Sequence, residues 1–151
     1  MDPFCDSSIL EGAFYTTDNT MALYDAAPVV PGHSLIIPRR HVPDIIMLTD
    51  EEMLDMLETV KKIGPVIFSL YGDGSGSYDL TAQIGKYSGM TIEHLHMHFI
   101  PRRKDDDYQG SSDVYGQIEK AERLGKEEYM NEVKRLREEM ERQYGSKENG
   151  Q

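Results

Sequence analysis

Histidine and apolar residues alternate strictly just past the middle of the chain. The run is His94-Leu95-His96-Met97-His98-Phe99. Successive side chains of a β-strand point to opposite faces of the sheet, so a strand has a period of two. The pattern therefore predicts a strand over residues 91–101, with three imidazoles in a row on one face and apolar side chains buried on the other.

Four further segments have the composition of strands, because aliphatic and aromatic residues stand between turn-forming residues. They cover residues 13–17, 20–24, 34–38 and 78–84. The Gly- and Ser-rich segment 71–77 lacks the Lys-Ser/Thr ending of a phosphate-binding loop, so it predicts a hairpin or a loop.

A capping box predicts the start of a long helix, because Thr49 can cap the N-terminus and Glu52 can return the hydrogen bond. Apolar residues then recur at helical spacing, and we expect this stripe to face the core. The stripe consists of Met53, Leu54, Met56, Leu57, Val60 and Ile63. Gly64-Pro65 is expected to kink or interrupt the helix, which can continue to Leu70.

A second helix is predicted over residues 126–144, where one apolar stripe runs between charged faces. The stripe consists of Tyr129, Met130, Val133, Leu136, Met140 and Tyr144. We expect this helix to pack on the body of the protein or on a partner subunit. The tail, residues 145–151, is expected to be disordered.

The bulk composition suits one globular domain, with 151 residues, 38% hydrophobic and 28% charged. The net charge of −11 argues against binding nucleic acid or an anionic membrane. No apolar run approaches the ~20 residues that a membrane-spanning helix needs. The first residues lack the features of a signal peptide, and Cys5 is the single cysteine. We therefore expect a cytoplasmic protein, with the nucleus also open.

Three interpretations of the histidine row are open. It can bind a metal ion, but a straight row of three spans roughly 13 Å and its members must converge to ~2 Å from the ion. It can be a hydrogen-bonded ladder without a catalytic task. It can also be a reaction centre, in which the middle member, His96, attacks phosphorus while His94 and His98 position the phosphate and transfer protons. Lys86 and Arg102 are then candidates for charge support, and for each a solvated surface position is equally open.

The histidine run resembles the signature of the histidine triad (HIT) family, His-φ-His-φ-His-φ-φ, where φ is apolar. The resemblance extends to Pro-Val-Val-Pro-Gly-His-Ser-Leu-Ile-Ile-Pro at residues 28–38 and to Gly89-Met90-Thr91. It covers roughly residues 4–118. Residues 28–33, Gln83 and the run 114–118 are most similar to the fragile histidine triad branch, which hydrolyses dinucleoside polyphosphates.

The resemblance implies a role for each matching histidine. His96 is the nucleophile on the α-phosphorus and forms a nucleotidyl-histidine that water cleaves. His98 assists the leaving oxygen, and His94 and His33 belong to the network that orients these groups.

The resemblance also implies a set of substrate contacts. Gln83, Thr91 and the backbone around Gly89 contact phosphate. Asp25 holds the ribose hydroxyls, since a carboxylate can accept hydrogen bonds from both of them. A base pocket is walled by Phe4, Ile9, Leu23 and Leu35. For these four residues an ordinary role in the core is equally open.

The fold implied is α+β and HIT-like, with about five antiparallel strands, one long packed helix and a C-terminal helix. It forms a single domain over residues 1–144. The family pattern also implies a homodimer whose two sheets join across the interface.

The implied reaction is hydrolysis of diadenosine tri- or tetraphosphate with release of AMP. The alternatives are a purine nucleoside phosphoramidase and a nucleotide-binding signalling protein with slow turnover. The mechanism requires no cofactor, although a divalent cation bound to the substrate polyphosphate is compatible with it.

Two residues depart from the family pattern. Met90 replaces the usual glutamine, and a thioether cannot donate a hydrogen bond, so one phosphate contact is lost or is supplied elsewhere. Many members have an N-terminal Cys-x-x-Cys that helps to bind structural zinc, whereas here only Cys5 is present and Asp2 stands three residues before it. This argues against structural zinc and favours His41 as a surface loop histidine.

Overall fold

A five-stranded antiparallel sheet organises the fold. The computed structural model describes residues 3–5, 7–107 and 113–145. Its strands are β1 (Ala13–Thr16), β2 (Thr20–Tyr24), β3 (Ser34–Pro38), β4 (Ser77–Thr81) and β5 (Met97–Arg102). Their order is β1-β2-β3-β5-β4, and all neighbours are antiparallel. The predicted α+β class is confirmed.

Three α-helices accompany the sheet. They are α1 (Asp50–Tyr71), α2 (Val114–Lys120) and α3 (Lys126–Tyr144), and short 3-10 segments cover Pro3–Cys5, Ser7–Gly12, Ile45–Met47 and Lys86–Ser88. The sequence analysis did not predict α2. No helix among the described residues is long and apolar enough to cross a membrane.

The two faces of the sheet have different coverings, because successive side chains of each strand point to opposite sides. Ala22, Tyr24 and Ile36 belong to the main core with apolar residues of α1 and α3. Leu23 and Leu35 belong to a second cluster, together with Phe4 of the N-terminal segment. Helices α1 and α3 therefore pack on one face, whereas the second cluster on the other face is completed by residues of the N-terminal segment and by Ile92 of the loop before β5.

The predicted strand over residues 91–101 is wrong in its first half, since β5 begins at Met97. Both neighbouring ladders stop there: β3 pairs no further than Ile36 with Met97, and β4 no further than Thr81 with His98. The preceding residues bond to a loop instead, and Leu95 N–H donates to Val42 O at 2.7 Å. Without strand partners on either side, alternation alone does not make a strand.

Helix α1 has the predicted capping box, with both the Thr49 and the Glu52 hydrogen bonds formed. The helix also continues through Gly64-Pro65 to Tyr71. The predicted apolar stripe is only half correct. Met56 and Ile63 are buried, whereas three members of the stripe are exposed: Met53, Leu54 and Leu57. The buried face is rotated and also includes Thr59, Gly64, Val66 and Ile67.

Helix α3 has the predicted bounds and packs on the body of the protein. Val133, Leu136 and Met140 are fully buried in the main core. Tyr129, Met130 and Tyr144 are half-buried against the same core. The tail beyond residue 145 lies outside the described residues, so the boundary of the domain at residue 144 stays a prediction.

We predict that Leu136→Ala lowers the free energy of unfolding by about 3 kcal/mol, because it opens a cavity where α3 meets the core. The exposed Lys134 on the same helix is the control, and Lys134→Ala should change stability by less than about 0.5 kcal/mol. Urea denaturation followed by circular dichroism measures both. Equal stabilities for the two variants would show that α3 is not part of the cooperative core.

Candidate active site

A cavity of about 530 Å³ opens over the sheet face that carries the second apolar cluster. Ten of the twelve residues predicted for the site line it: Phe4, Ile9, Leu23, Asp25, Leu35, Gln83, Gly89, Thr91, His96 and His98. His33 and His94 are fully buried and do not line it. The fold thus gathers residues from the N-terminal segment, three strands and the loop before β5.

His98 is held by a buried hydrogen bond that fixes the tautomer of its neutral ring. Val29 N–H donates to His33 Nδ1 at 3.0 Å, so the neutral His33 ring carries its proton on Nε2. That nitrogen lies 2.8 Å from His98 Nδ1 and donates to it. His98 consequently carries its own proton on Nε2, on the other side of its ring, and can donate it as a hydrogen bond in the cavity.

His96 has the complementary arrangement. Its Nδ1 lies 2.8 Å from the carbonyl oxygen of His94, which can only accept, so the ring proton of neutral His96 stands on Nδ1. Nε2 therefore carries the lone pair, as a nucleophilic imidazole requires. The His96 and His98 rings lie 5.3 Å apart at an angle of 69°, with Phe4 at 5.2 Å from His96.

His94 has a third environment, away from the cavity. Its Nε2–H donates to Pro38 O at 2.8 Å, and its Nδ1 lies 3.6 Å from Cys5 Sγ. It contacts His96 through its backbone carbonyl rather than through its ring. The three imidazoles that were predicted to stand in a row therefore have three different sets of partners.

Asp25 lies beside the buried histidine pair. One carboxylate oxygen, Oδ1, accepts from Ala27 N–H at 2.8 Å. The other, Oδ2, lies 3.3 Å from His33 Nε2 and 3.9 Å from His98 Nδ1. Burial raises the pKa of Asp25 to about 6, against the opposing effects of the Ala27 bond and of the positive charge of Arg123.

Burial acts on the two histidines in the opposite direction, since it disfavours any charged form. It lowers the pKa of His33 well below its usual value, with further contributions from His98 and Arg102. Burial and the neighbouring His96 lower the pKa of His98 to about 4. At neutral pH the site therefore holds an ionised Asp25 and two neutral imidazoles.

Asp25, His33 and His98 are close enough to suggest a metal site, with ligand atoms within 4.8 Å of one another. The two histidine nitrogens are only 2.8 Å apart, however, and share a proton in a hydrogen bond. Two nitrogens on a tetrahedral zinc ion lie roughly 3.3 Å apart and carry no protons. This group is better explained as a hydrogen-bonded chain.

Cys5, His41 and His94 form a second group of donors within 4.8 Å of one another. A thiolate and two imidazoles suit zinc, and the bond from His94 Nε2–H to Pro38 O turns the other nitrogen toward the group. These residues would hold a structural ion, which would tie the N-terminal segment to His94. His41 is exposed, as expected for a surface histidine, but its ring also lies 5.2 Å from that of His94.

Structural zinc usually has four ligands, and Asp2 lies outside the described residues. The expectation that this chain has no structural zinc therefore stays a prediction.

The two proposed charge supports do not line the cavity. Arg102 is mostly buried and donates to Asp79 at 2.8 Å, to Asp106 at 3.1 Å and to the side-chain oxygen of Gln117. Lys86 is exposed and lies 5.6 Å over the ring of Tyr87. Arg102 is thus paired with two carboxylates, and Lys86 is exposed, as the alternative of a surface residue expects for it.

Met90, which stands where the family usually has glutamine, forms a hydrogen bond within the loop before β5. Gly85 N–H donates to Met90 Sδ at 3.4 Å, so the thioether orders the loop although it cannot donate to phosphate. Gly89 has a φ of 89°, and a Cβ there would lie 2.4 Å from the Tyr115 ring. Only glycine allows both this backbone conformation and the close approach of Tyr115.

Sequence reasoning missed the wall of the cavity that the C-terminal part of the chain provides. Tyr115, Ile118 and Glu119 of α2 line it, together with Arg123 and Tyr129. The run 114–118 carried a family resemblance but no assigned role, and Tyr129 was predicted only as a core residue. Nothing in the sequence pattern pointed to Arg123.

Comparison with known proteins gives one consistent result. A family model described as the HIT domain matches residues 7–105. The bis(5'-adenosyl)-triphosphatase of Dictyostelium discoideum is 40% identical over 108 residues, which cover 71% of this chain and 70% of that protein. The asymmetrical bis(5'-nucleosyl)-tetraphosphatase of Schizosaccharomyces pombe is 36% identical over 109 residues, 72% of this chain but only 58% of that protein.

Among solved structures, a hypothetical histidine triad nucleotide-binding protein from Sulfolobus tokodaii has a similar fold. Its TM-score is 0.73 at 26% sequence identity, and the match covers 95% of this chain and 96% of that one.

We predict that the His33 and His98 rings stay neutral from about pH 8 to about pH 5. Burial lowers both pKa values, and His98 should gain a proton only near pH 4. Ring-nitrogen NMR shifts measure this and also identify the tautomers, with the proton on Nε2 in both rings. In urea-unfolded protein the same rings should titrate near pH ~6.5. A titration of His98 between pH 6 and 7 in the folded protein would contradict the assignment.

Proposed function

Because the chain belongs to the HIT family, we propose that it hydrolyses dinucleoside polyphosphates at the α-phosphate through a covalent nucleotidyl-histidine. The observation that carries this proposal is the pair of opposite tautomers in one cavity. His96 presents a lone pair on Nε2, and His98 presents a proton on Nε2. A nucleophile and a hydrogen-bond donor side by side suit displacement at phosphorus.

The lining of the cavity supports a nucleotide as the substrate. Its apolar part, with Leu23 and Leu35 at its base, suits a purine base. Asp25 is ionised at neutral pH and can accept both ribose hydroxyls. Gln83 and Thr91, with the backbone at Gly89, can donate to phosphate oxygens within an otherwise acidic protein.

In the first step His96 Nε2 attacks the α-phosphorus, and an N–P bond replaces the bond to the leaving phosphate. His98 Nε2–H donates a hydrogen bond to the departing oxygen, where negative charge develops. The His96 ring becomes cationic, and its Nδ1–H remains bound to the His94 carbonyl.

In the second step water attacks the same phosphorus and displaces Nε2. AMP leaves, the protons of the water pass to AMP and to solvent, and His96 returns to its neutral form. No step requires a cofactor of the protein.

The electrostatics of His98 favour this reaction over the runner-up, cleavage of a purine nucleoside phosphoramidate. An amine leaving group must receive a full proton, whereas a phosphate leaves as an anion and needs only a hydrogen bond. Burial holds the pKa of His98 at about 4, so it carries no spare proton at neutral pH. This supports the anhydride substrate, diadenosine tri- or tetraphosphate.

A homodimer is supported by apolar side chains left exposed. Most of the large exposed ones lie on the 3-10 segment Ile45–Met47, on the first turns of α1 and on the edge strand β4. They are Ile45, Ile46, Met47, Met53, Leu54, Leu57, Tyr78 and Leu80. An edge strand that itself carries exposed apolar side chains suits pairing with the same edge of a second copy. The composition, with a single cysteine, supports a cytoplasmic location.

We predict that the wild type turns over diadenosine tri- or tetraphosphate faster than an adenosine phosphoramidate. His96→Asn should lower the turnover rate by about 10⁴-fold or more, because the nucleophile is removed. Chromatographic detection of AMP, with and without EDTA, measures both. The controls are an unchanged melting temperature and retained AMP binding in the variant. Undiminished turnover in His96→Asn would exclude this nucleophile. AMP binding without turnover in the wild type would favour a signalling role.

We predict that Leu57→Lys converts the dimer into a monomer, because it places a charge in the apolar surface of α1. Leu10→Lys is the matched control, since Leu10 is 48% exposed against 50% for Leu57 but lies on a different segment. Sedimentation equilibrium gives the mass of each. A wild-type monomer, or a dimer that survives Leu57→Lys, would argue against an interface at this surface.

A further inference from the structure

The backbone around Asp25 is held from the C-terminal part of the chain by two hydrogen bonds. The Tyr129 hydroxyl donates to Tyr24 O at 2.9 Å, and Leu124 N–H donates to Ala26 O at 2.9 Å. These are the carbonyls of the residues directly before and after Asp25. Their partners belong to α3 and to the connector over residues 121–125, so two separate elements fix the same three-residue segment.

The position of Tyr129 is itself tightly restricted. A Cβ at Gly12 would lie 2.0 Å from the Tyr129 hydroxyl oxygen, so position 12 admits this hydroxyl only because it is glycine. The Tyr129 ring packs at 6.1 Å from the Tyr24 ring. Burial, reinforced by the charge of Asp25, raises the pKa of Tyr129, so the hydroxyl keeps its proton as a donor.

Charged and titratable groups surround Asp25 from every packed element. His33 and His98 lie against its Oδ2, and Tyr24 and Tyr129 lie near its backbone. Arg123 and Glu119 line the same cavity. Arg123 is the positive charge that opposes the effect of burial on the carboxyl, and it stands next to Leu124 in the connector.

We infer that Tyr129 is a positioning residue for the nucleotide, because it holds the backbone directly before Asp25 and so keeps the Asp25 carboxylate in place for the ribose hydroxyls. Tyr129 lies outside residues 7–105, the segment that the HIT family model matches. The C-terminal helix therefore sets nucleotide affinity without touching the reacting phosphorus. The inference rests on the proposed function, in which Asp25 accepts hydrogen bonds from the ribose hydroxyls.

Tyr129→Phe tests the inference, because it removes one hydroxyl and keeps the ring. KM for the dinucleoside polyphosphate should rise about three- to tenfold, the effect of one neutral hydrogen bond, while kcat stays within twofold. The matched control is Tyr144→Phe on the same helix, whose hydroxyl donates to Lys62 O at 2.7 Å, away from the cavity. It loses a bond of the same kind and should leave KM unchanged.

A substrate analogue that lacks both ribose hydroxyls separates positioning from a general structural effect. With this analogue, Tyr129→Phe and the wild type should have equal KM values, because Asp25 then has no ribose hydroxyl from which to accept a hydrogen bond. Gly12→Ala provides a second variant, since the new methyl group displaces the hydroxyl and leaves Tyr129 in the sequence. It should raise KM for the full substrate in the same way.

AMP binding measured by calorimetry distinguishes failure of the inference from failure of the proposed function. If the wild type binds AMP and turns over substrate, but Tyr129→Phe has the KM of Tyr144→Phe, the positioning role is overturned and the proposed function stands. An equal loss on the analogue without hydroxyls would also overturn it. If the wild type neither binds AMP nor turns over substrate, the proposed function is wrong. The positioning role of Tyr129 is then wrong as well, because it depends on that function.

Discussion

The buried hydrogen bond from His33 to His98 joins the fold to the chemistry of the site. Its length of 2.8 Å requires β3 and β5 to be paired in register, with Leu35 opposite His98. It also requires the turn before β3, where Gly32 has a φ of 99° and a Cβ would lie 2.8 Å from Pro101. The Pro-Gly-His run is thus explained by packing: only glycine fits between Pro101 and Tyr71, and the next residue is then directed at His98.

Burial of this pair decides the charges in the site. A low local dielectric disfavours every charged form, so His33 and His98 remain neutral and the pKa of Asp25 rises. Backbone groups then select the tautomers: an N–H of Val29 for His33 and a carbonyl of His94 for His96. Of the three histidines in the row, His94 and His98 carry the ring proton on Nε2, whereas His96 carries it on Nδ1.

Local patterns predicted most of the secondary structure, since the signals lay within single segments. The capping box of Thr49 and Glu52 and the bounds of α3 are examples. The histidine segment failed because a strand also needs neighbours, and both ladders end near Met97. The predicted apolar stripe of α1 was wrong in part, because Leu54 and Leu57 are exposed. Apolar periodicity alone does not distinguish a helix face that packs on the core from one that stays at the surface.

The sequence by itself determined the chemistry of the candidate site, since the residues of the HIT signature can be recognised without coordinates. It also predicted ten of the residues that line the cavity. Only the tertiary structure decided which nitrogen of each imidazole is protonated, because that depends on bonds from Val29 and from the His94 backbone. It alone brought Tyr129 and Arg123 to Asp25, since contacts between residues about a hundred positions apart leave no periodic trace in the chain.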